Sequence, residues 1–186
     1  FTATLYGSAA NLGLPYMGVG RNLLYSKSLY KHVGGYEKHA DLPSGDDDLQ
    51  IQLMANNTNT TICLDEKALT YTEPKASFKE WVKQKMRHIS VATAYKNNIK
   101  NYLIFYTLMH LGFIYLGIFA TYFYPLYTLA IFAIFYIMTL PVNFKNYKKL
   151  GEEKLAYFFP LADITFAFIN PLLLMLAQTS TPGKWK

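Results

Sequence analysis

LIFYTLMHLGFIYLGIFATYFYPLYTLAIFAIFYIMTLPVNF, residues 103–144, contains no Asp, Glu, Lys or Arg. As a single helix rising ~1.5 Å per residue, a run of this length would reach about 60 Å, twice the ~30 Å hydrocarbon core of a bilayer. Because proline cannot continue a helix without losing a backbone hydrogen bond, we place a break at Tyr124-Pro125. The run therefore predicts two transmembrane helices, at about 103–122 and 125–144.

Lysines flank this predicted hairpin on both sides. Two precede the first span and four follow the second, namely Lys96, Lys100, Lys145, Lys148, Lys149 and Lys154. Since lysine-rich flanks favour the cytoplasmic side, both ends of the hairpin are expected in the cytoplasm. We expect an integral protein of the inner or plasma membrane whose soluble part is cytoplasmic.

A third apolar segment, residues 155–178, contains Asp163 and the pair Asn170-Pro171. If the segment spans the membrane, the basic tail at 183–186 lies outside, against the charge rule; if it is re-entrant or interfacial, the tail stays inside. We therefore favour a broken or interfacial segment. An ionisable group at membrane depth is costly, so Asp163 is either functional or turned toward protein or headgroups. We favour the second interpretation of Asp163.

The composition narrows the class of protein. The chain has 186 residues, is 52% hydrophobic and carries a net charge of +6. The positive charge lies at the ends of the apolar runs rather than on one soluble face, which argues against nucleic-acid binding. The single cysteine, Cys63, excludes an internal disulfide and a cysteine-based metal cluster, and its alternating run predicts a buried side chain. Because the chain begins at Phe1 rather than Met, we expect it to be part of a longer protein.

Residues 1–101 mix charged and apolar positions, as a soluble domain does. Three short runs have the character of strands: Gly20–Tyr25, Thr60–Leu64 and Ala68–Thr72. Between the first two, Ser28 is expected to cap a helix that stops at Gly34-Gly35.

Three adjacent carboxylates, Asp46, Asp47 and Asp48, follow Ser44-Gly45 at the start of a predicted helix. The positive end of the helix and its free N–H groups favour acidic side chains there, which is a purely structural explanation. A catalytic base at a pocket rim is the second interpretation, because a carboxylate can take a proton from a hydroxyl. A metal site is the third, since no second acidic pair accompanies the triplet.

The next helix begins with a capping box formed by Ser77 and Glu80. Its apolar side chains fall on one stripe, typical of an amphipathic helix at a membrane interface. Gln84, Arg87 and His88 share the opposite face at i, i+3 and i+4. From spacing alone this face is either solvated or part of a site, and the solvated interpretation is favoured.

These elements, taken in order, resemble glycosyltransferase family 2, the GT-A group that includes cellulose, chitin and hyaluronan synthases. The resemblance covers nearly the whole chain. It consists of the run Gly20-Arg21-Asn22, the acidic motif that opens a helix, the Gln-x-x-Arg motif and the membrane spans. It implies the C-terminal part of a GT-A α/β fold (residues 1–76), an amphipathic interfacial helix (77–101) and a membrane region of two to three transmembrane helices (102–186).

The resemblance also assigns roles to residues. The family's acidic motif reads Glu-Asp-x-x-Leu, and counting back from Leu49 places its general base on Asp46, with Asp47 as the alternative. Gly45 stands where the family often has Glu. Substrate-binding positions are Gly20, Arg21, Asn22, Gln84, Arg87 and His88. The family's Gln and Arg help to hold the donor diphosphate and the acceptor, and His88 replaces the family's usual Trp.

The reaction that the resemblance implies is a single displacement with inversion, in cell-envelope polysaccharide or glycolipid synthesis. A hydroxyl of a glycan or lipid-linked acceptor attacks the anomeric carbon of a nucleotide-sugar donor. A divalent cation, Mn²⁺ or Mg²⁺, is expected on an upstream Asp-x-Asp motif, with no metal ligands in residues 1–186, so that this chain alone is inactive. The expected partners are the two substrates and membrane lipids, without nucleic acid. Two alternatives stay open: a non-enzymatic membrane scaffold or transporter subunit, and a processive polysaccharide synthase.

Overall fold

All regular structure in the described part of the chain is helical. The computed structural model describes residues 2–42 and 44–179, without the side chains of residues 178 and 179. The helices are α1 (Thr2–Asn11), α2 (Lys27–His32), α3 (Asp48–Met54), α4 (Phe78–Val91), α5 (Asn97–Phe123), α6 (Pro125–Lys149) and α7 (Phe159–Thr179). Short 3-10 turns lie at Gly20–Asn22, Glu37–His39, Glu66–Ala68, Ala92–Ala94 and Glu153–Phe158.

The predicted α/β fold, with a GT-A-like sheet, is wrong for residues 2–42 and 44–179, because no strand is present there. Gly20–Asn22 forms a 3-10 turn, and residues 60–64 and 69–72 have no regular structure. Residues 56–67 are exposed throughout, so the alternation of apolar side chains buries no face. The prediction that Cys63 is buried fails for the same reason, and its side chain is exposed.

Side chains occupy backbone groups that a strand would need for pairing. The Gly20 N–H donates to Asp47 Oδ2 at 3.1 Å, and the Asn22 side chain donates to the Ala68 carbonyl at 3.0 Å. Short polar side chains compete with secondary structure in this way because they offer the backbone other partners. The extended conformation of Leu23 is present without a partner strand in the described residues.

The chain divides into two compact units. Among the described residues, the first unit contains those up to Cys63, residues 68–100 and those from Leu173 onward. The second contains residues 64–67 and 101–172.

Polar side chains hold α3 inside the first unit. Gln52 Nε2 donates to the Tyr16 carbonyl at 3.2 Å, and the Lys96 N–H donates to Gln52 Oε1 at 3.0 Å. Asp48 lies four residues before Gln52 on α3, and its Oδ2 accepts the Tyr95 hydroxyl at 2.5 Å. Residues i and i+4 lie on one helix face, so this face of α3 binds the segment that follows α4.

Helix α2 begins and ends with identifiable caps. Ser26, rather than the expected Ser28, is the N-cap, and its hydroxyl accepts the Leu29 N–H at 3.2 Å. The helix stops at Gly34-Gly35, as expected. The Gly35 N–H donates to the Tyr30 carbonyl, the Gly34 N–H donates to the Lys31 carbonyl, and both glycines have positive φ.

The break between the first two apolar helices is confirmed. Helix α5 ends at Phe123, and α6 begins at Pro125 with proline in its first turn, where a missing N–H costs nothing. Gly117 of α5 lies under the ring of Phe132 of α6, where any larger residue would collide with that ring. Three helical segments, Asn97–Phe123, Pro125–Lys149 and Glu153–Ala177, are long and apolar enough to cross a membrane.

Helix α7 continues through Asn170-Pro171, so the expected break in this segment is wrong. Pro171 has no N–H to donate to the carbonyl of Ala167, four residues earlier. The Tyr115 hydroxyl of α5 donates to that carbonyl at 2.9 Å, and Ala167 is fully buried. A side chain from another helix thus supplies the hydrogen bond that the proline removes.

Asp163 of α7 is turned toward protein, as favoured above. Its residue is 3% exposed, and one carboxylate oxygen lies 2.9 Å from His110 Nε2 of α5. The other oxygen accepts the hydroxyl of Tyr136 of α6 at 3.1 Å. The carboxylate therefore joins three helices of the second unit.

The hydrogen bond to Ala167 gives a testable prediction. Tyr115→Phe should lower the free energy of unfolding by about 1–3 kcal/mol, because it leaves a buried carbonyl without a partner. Pro171→Ala restores the helical donor, so Tyr115→Phe should cost much less in that background. Thermal unfolding of the four proteins of this double-mutant cycle in detergent measures the difference.

The matched control is Tyr122→Phe, which changes an exposed tyrosine of the same helix and should leave stability unchanged. Strictly additive effects of Tyr115→Phe and Pro171→Ala would contradict the assignment.

Candidate functional site

The acidic triplet lies at the start of α3, and Asp47 is the N-cap of that helix. Its Oδ1 accepts the N–H of Asp48 at 2.9 Å, while its Oδ2 accepts the Gly20 N–H at 3.1 Å. Both carboxylate oxygens are therefore engaged by backbone N–H groups. The structural interpretation of the triplet describes Asp47 well.

Asp48 belongs to the core of the first unit. It is 2% exposed, and its Oδ1 has no hydrogen-bond partner among the described residues. Burial raises the pKa of Asp48 to about 7, although the hydrogen bond from Tyr95 acts in the opposite direction. Burial likewise raises the pKa of Tyr95, with the charge of Asp48 as the next cause.

Asp46 differs from both neighbours because its side chain is exposed. No hydrogen bond to its carboxylate is present within residues 2–42 and 44–179. Its charge acts on Tyr36, on His39 and on His88, so the carboxylate lies within electrostatic range of residues before and after it in the chain. Of the three aspartates, Asp46 is the one that can accept a proton from a bound molecule.

Gly45 allows α3 and α4 to approach each other. Its φ is +102°, and a Cβ atom there would lie 2.7 Å from Val91 Cγ1 and 2.9 Å from Leu49 Cδ1. Positive φ and this lack of space both require glycine. A larger residue could not replace it without moving the side chains of Val91 and Leu49.

One residue of the polar face of α4, His88, lies within electrostatic range of Asp46 and Asp47. The Ser77 hydroxyl accepts the Glu80 N–H at 3.3 Å, which confirms the predicted cap. His88 is half-buried, and burial together with the Arg87 charge lowers its pKa, while Asp47 and Asp46 act in the opposite direction. A neutral imidazole beside the aspartates can donate one hydrogen bond and accept another.

The other residues predicted on this face are less clearly placed. Arg87 is exposed and Gln84 is half-buried. In the described part of the chain, Gln84 makes no hydrogen bond to the acidic loop. The charges of Asp46 and Asp47 act on His88, and this interaction does not place Gln84 in the same site.

The Gly20-Arg21-Asn22 turn is held in place by hydrogen bonds that involve the backbone. Gly20 bonds to Asp47, Asn22 bonds to the Ala68 carbonyl, and Arg21 is exposed. Two of the three predicted residues therefore fix the loop, and Arg21 remains available at the surface.

A pocket of ≈ 190 Å³ opens beside the acidic loop. It is lined by Gly20, Leu23, Leu24, Tyr25, Tyr36, Asp46 and Asp47. The Gly-Arg-Asn turn and the acidic motif, predicted as parts of one site, thus meet at this pocket.

The aspartates do not form a complete metal site. Asp47 lines the pocket but is engaged by two N–H groups, and Asp48 is buried on Tyr95. Asp46 is the one whose carboxylate is left open. Within the described residues, no three His, Cys, Asp or Glu side chains lie close enough together to hold a metal ion. Divalent cations need several oxygen ligands, so these residues do not fit Mn²⁺ or Mg²⁺.

Sequence reasoning missed the aromatic side of the pocket. Tyr25 and Tyr36 line it, and Tyr30 stacks on Tyr25 with ring centroids 5.8 Å apart. The available signal was three tyrosines spaced five and six residues apart, one before α2, one within it and one after it. Nothing in the sequence points to the contact between Asp48 and Tyr95, which are 47 positions apart.

The buried carboxyl of Asp48 gives a prediction about pH. Its folded-state pKa of about 7 exceeds the ordinary value of 3.8, so the folded protein holds this proton more tightly than the unfolded chain. The stability that this group contributes is complete below pH ~4 and is lost as the pH rises toward ~7, at up to ~1.4 kcal/mol per pH unit. Asp48→Asn, which imitates the protonated acid, should remove this dependence and raise the unfolding temperature at pH 8.

Unfolding temperatures of wild type and Asp48→Asn should be compared from pH 5 to pH 8. The comparison cancels the contributions of His39 and His88, whose lowered pKa values make stability rise with pH. A constant difference between the two proteins across this range would show that Asp48 is ionised throughout.

Comparison with known proteins does not assign this arrangement to a family. No protein-family model matches the sequence, and no curated protein or solved structure is similar to it.

Proposed function

We propose that this chain is part of a membrane-bound inverting glycosyltransferase in which Asp46 is the general base. The enzyme transfers a sugar from a nucleotide-sugar donor to a hydroxyl of a glycan or lipid-linked acceptor. The observation that carries the proposal is the exposed Asp46 carboxylate on the pocket wall, next to two aspartates that are held by other groups.

The contrast among the three aspartates supports Asp46 over Asp47. A general base must reach the proton that it removes, and its oxygens must be open to the substrate. Asp47 uses both oxygens to hold the start of α3 and the Gly20 turn. Asp46 follows Gly45, whose close contact with Val91 fixes the direction of the loop.

Two residues of α4, Arg87 and His88, are suited to bind the substrates. His88 is within electrostatic range of Asp46 and Asp47, and the exposed Arg87 adds a permanent positive charge one residue away. A guanidinium suits a phosphate because its planar fork binds two oxygens. We assign Arg87 to the leaving diphosphate and His88 to a hydrogen bond with substrate.

The proposed reaction is one displacement at the anomeric carbon. The acceptor oxygen forms a bond to this carbon while the bond to the donor phosphate breaks. The acceptor proton moves to the Asp46 carboxylate, and the nucleoside diphosphate leaves with the bonding electrons. Attack from the face opposite the leaving group inverts the configuration.

The proposed site is the inner or plasma membrane, with residues 1–100 in the cytoplasm. Three segments are long and apolar enough to cross a bilayer, and lysines lie before α5 and in the last turn of α6. The side of the membrane follows from this distribution of lysine.

The role of Asp46 is tested by nucleotide release from a panel of sugar nucleotides. The full-length protein is assayed in membranes with Mn²⁺ or Mg²⁺ in the buffer. Asp46→Asn keeps the size of the side chain but removes the base, so turnover should fall by about 10²–10⁴-fold. Asp47→Asn retains the N-cap acceptor but replaces the oxygen that accepts the Gly20 N–H, so it should cost about 1 kcal/mol of stability with a much smaller loss of turnover.

Thermal unfolding of both variants shows whether a loss of turnover reflects chemistry or folding. If Asp47→Asn abolishes turnover and Asp46→Asn does not, the base is Asp47. If no donor is turned over, the enzyme proposal fails and a membrane scaffold or transporter subunit replaces it.

The orientation is tested with the exposed Cys63, the single cysteine of the chain. A membrane-impermeant maleimide should label it only after intact cells are permeabilised. In a Cys63→Ser background, Tyr124→Cys places the thiol between α5 and α6 and should be labelled from outside. Labelling of Cys63 in intact cells would reverse the proposed topology.

A further inference from the structure

The pocket beside Asp46 has an aromatic side that the proposed reaction does not yet use. We define the tyrosine wall as Tyr25, Tyr30 and Tyr36 together with His39. The rings of Tyr30 and Tyr36 meet edge to face at 5.2 Å, and Tyr36 and His39 meet in the same way at 5.7 Å. The hydroxyl groups of Tyr25 and Tyr36 are hydrogen-bonded at 3.0 Å. These contacts form a continuous aromatic surface.

Glycine fixes the tyrosine wall. Gly35 has a φ of +60°, and a Cβ atom there would lie 3.0 Å from the Tyr30 ring and hydroxyl. The Tyr30 side chain therefore lies directly on the turn that ends α2. A surface held by a backbone turn and by ring contacts loses little conformational entropy when it binds a ligand.

The tyrosine wall and the acidic loop belong to one pocket. Tyr25 and Tyr36 line it together with Asp46 and Asp47. The Asp46 charge acts on both Tyr36 and His39. At ≈ 190 Å³ the pocket is smaller than the ~300–1,000 Å³ typical of sites for drug-sized ligands, so it suits one ring of a larger molecule.

The lining selects the chemistry of that ring. Two carboxylates disfavour an anion such as the donor diphosphate through direct charge repulsion. The negative faces of tyrosine rings attract the C–H groups of a saturated ring, and the tyrosine hydroxyls bond to its hydroxyl groups. Leu24 is 96% exposed at the pocket and adds an apolar edge.

His39 packs against Tyr36 and is not among the residues that line the pocket. Its residue is 8% exposed, and burial lowers the pKa of His39, which favours the neutral ring. A neutral His39 therefore extends the aromatic contacts of Tyr36 without adding a charge to the tyrosine wall.

We propose that the tyrosine wall is the subsite that binds a pyranose ring of the acceptor and presents one of its hydroxyl groups to Asp46. This inference rests on the proposed function only for the second step, because binding of a sugar by the wall is a property of its own. A neutral, hydroxyl-rich ring with one apolar face matches the wall, the exposed Leu24 and the carboxylates at once.

Binding is measured by saturation-transfer NMR on the full-length protein in nanodiscs. The probes are trisaccharides of glucose, galactose, mannose and N-acetylglucosamine, with tetramethylammonium as a cation that aromatic rings also attract. At least one trisaccharide should bind with millimolar affinity. Tyr36→Leu should weaken this binding by roughly 5- to 10-fold, in line with the loss of one aromatic contact.

The controls separate the wall from general effects. Tyr71→Leu removes a tyrosine that is 77% exposed and does not line the pocket, and it should bind the trisaccharide as wild type does. Tyr36→Phe keeps the ring and should retain most of the affinity, which guards against a folding defect in Tyr36→Leu.

The outcomes distinguish the two proposals. Tyrosine-dependent sugar binding with unchanged turnover in Asp46→Asn supports the subsite and rejects the assigned base. Loss of turnover in Asp46→Asn supports the assigned base. If Tyr36→Leu changes neither sugar binding nor the acceptor KM, the subsite is overturned. Binding of tetramethylammonium but of no trisaccharide also overturns it.

Discussion

The carboxylate of Asp47 joins two parts of the chain that are 27 residues apart, and the proposed site depends on this link. One oxygen starts α3 and the other holds the Gly20 turn. These bonds fix Asp47, and its two neighbours lie in different environments: Asp48 is buried in the core and Asp46 is exposed. Three chemically identical side chains therefore acquire three roles, as a cap, as a core acid and as an open carboxylate. The division arises from the geometry of a helix start.

The second constraint is the close approach at Gly45. A Cβ atom at Gly45 would lie 2.7 Å from Val91 Cγ1, so there is no room for a side chain. The end of α4 therefore lies directly against the loop. This contact brings His88 within range of the aspartates although 40 residues separate the two motifs. The glycine permits close packing between the loop before α3 and the end of α4.

The apolar helices and their break were predictable because both signals are local. A charge-free run and a proline act through the residues themselves, and the cap of α4 is equally local. The α/β fold was not predictable in this way, because an extended run becomes a strand only when its backbone pairs. Here Asp47 and Asn22 take backbone groups that pairing would use. Of the candidate site, sequence reasoning identified the acidic loop and α4, whereas the tyrosine wall and the partner of Asp48 depend on how distant segments pack.

Asp163 has a consequence for how the protein is made. An aspartate within an inserting helix is costly, so α7 is a poor candidate to enter a bilayer by itself. Its two hydrogen-bond partners, His110 and Tyr136, are on helices that the ribosome completes earlier. The hairpin of α5 and α6 is therefore available as a polar docking surface when α7 emerges. The insertion of α7 into the membrane then depends on its binding to the hairpin of α5 and α6, which is synthesised first.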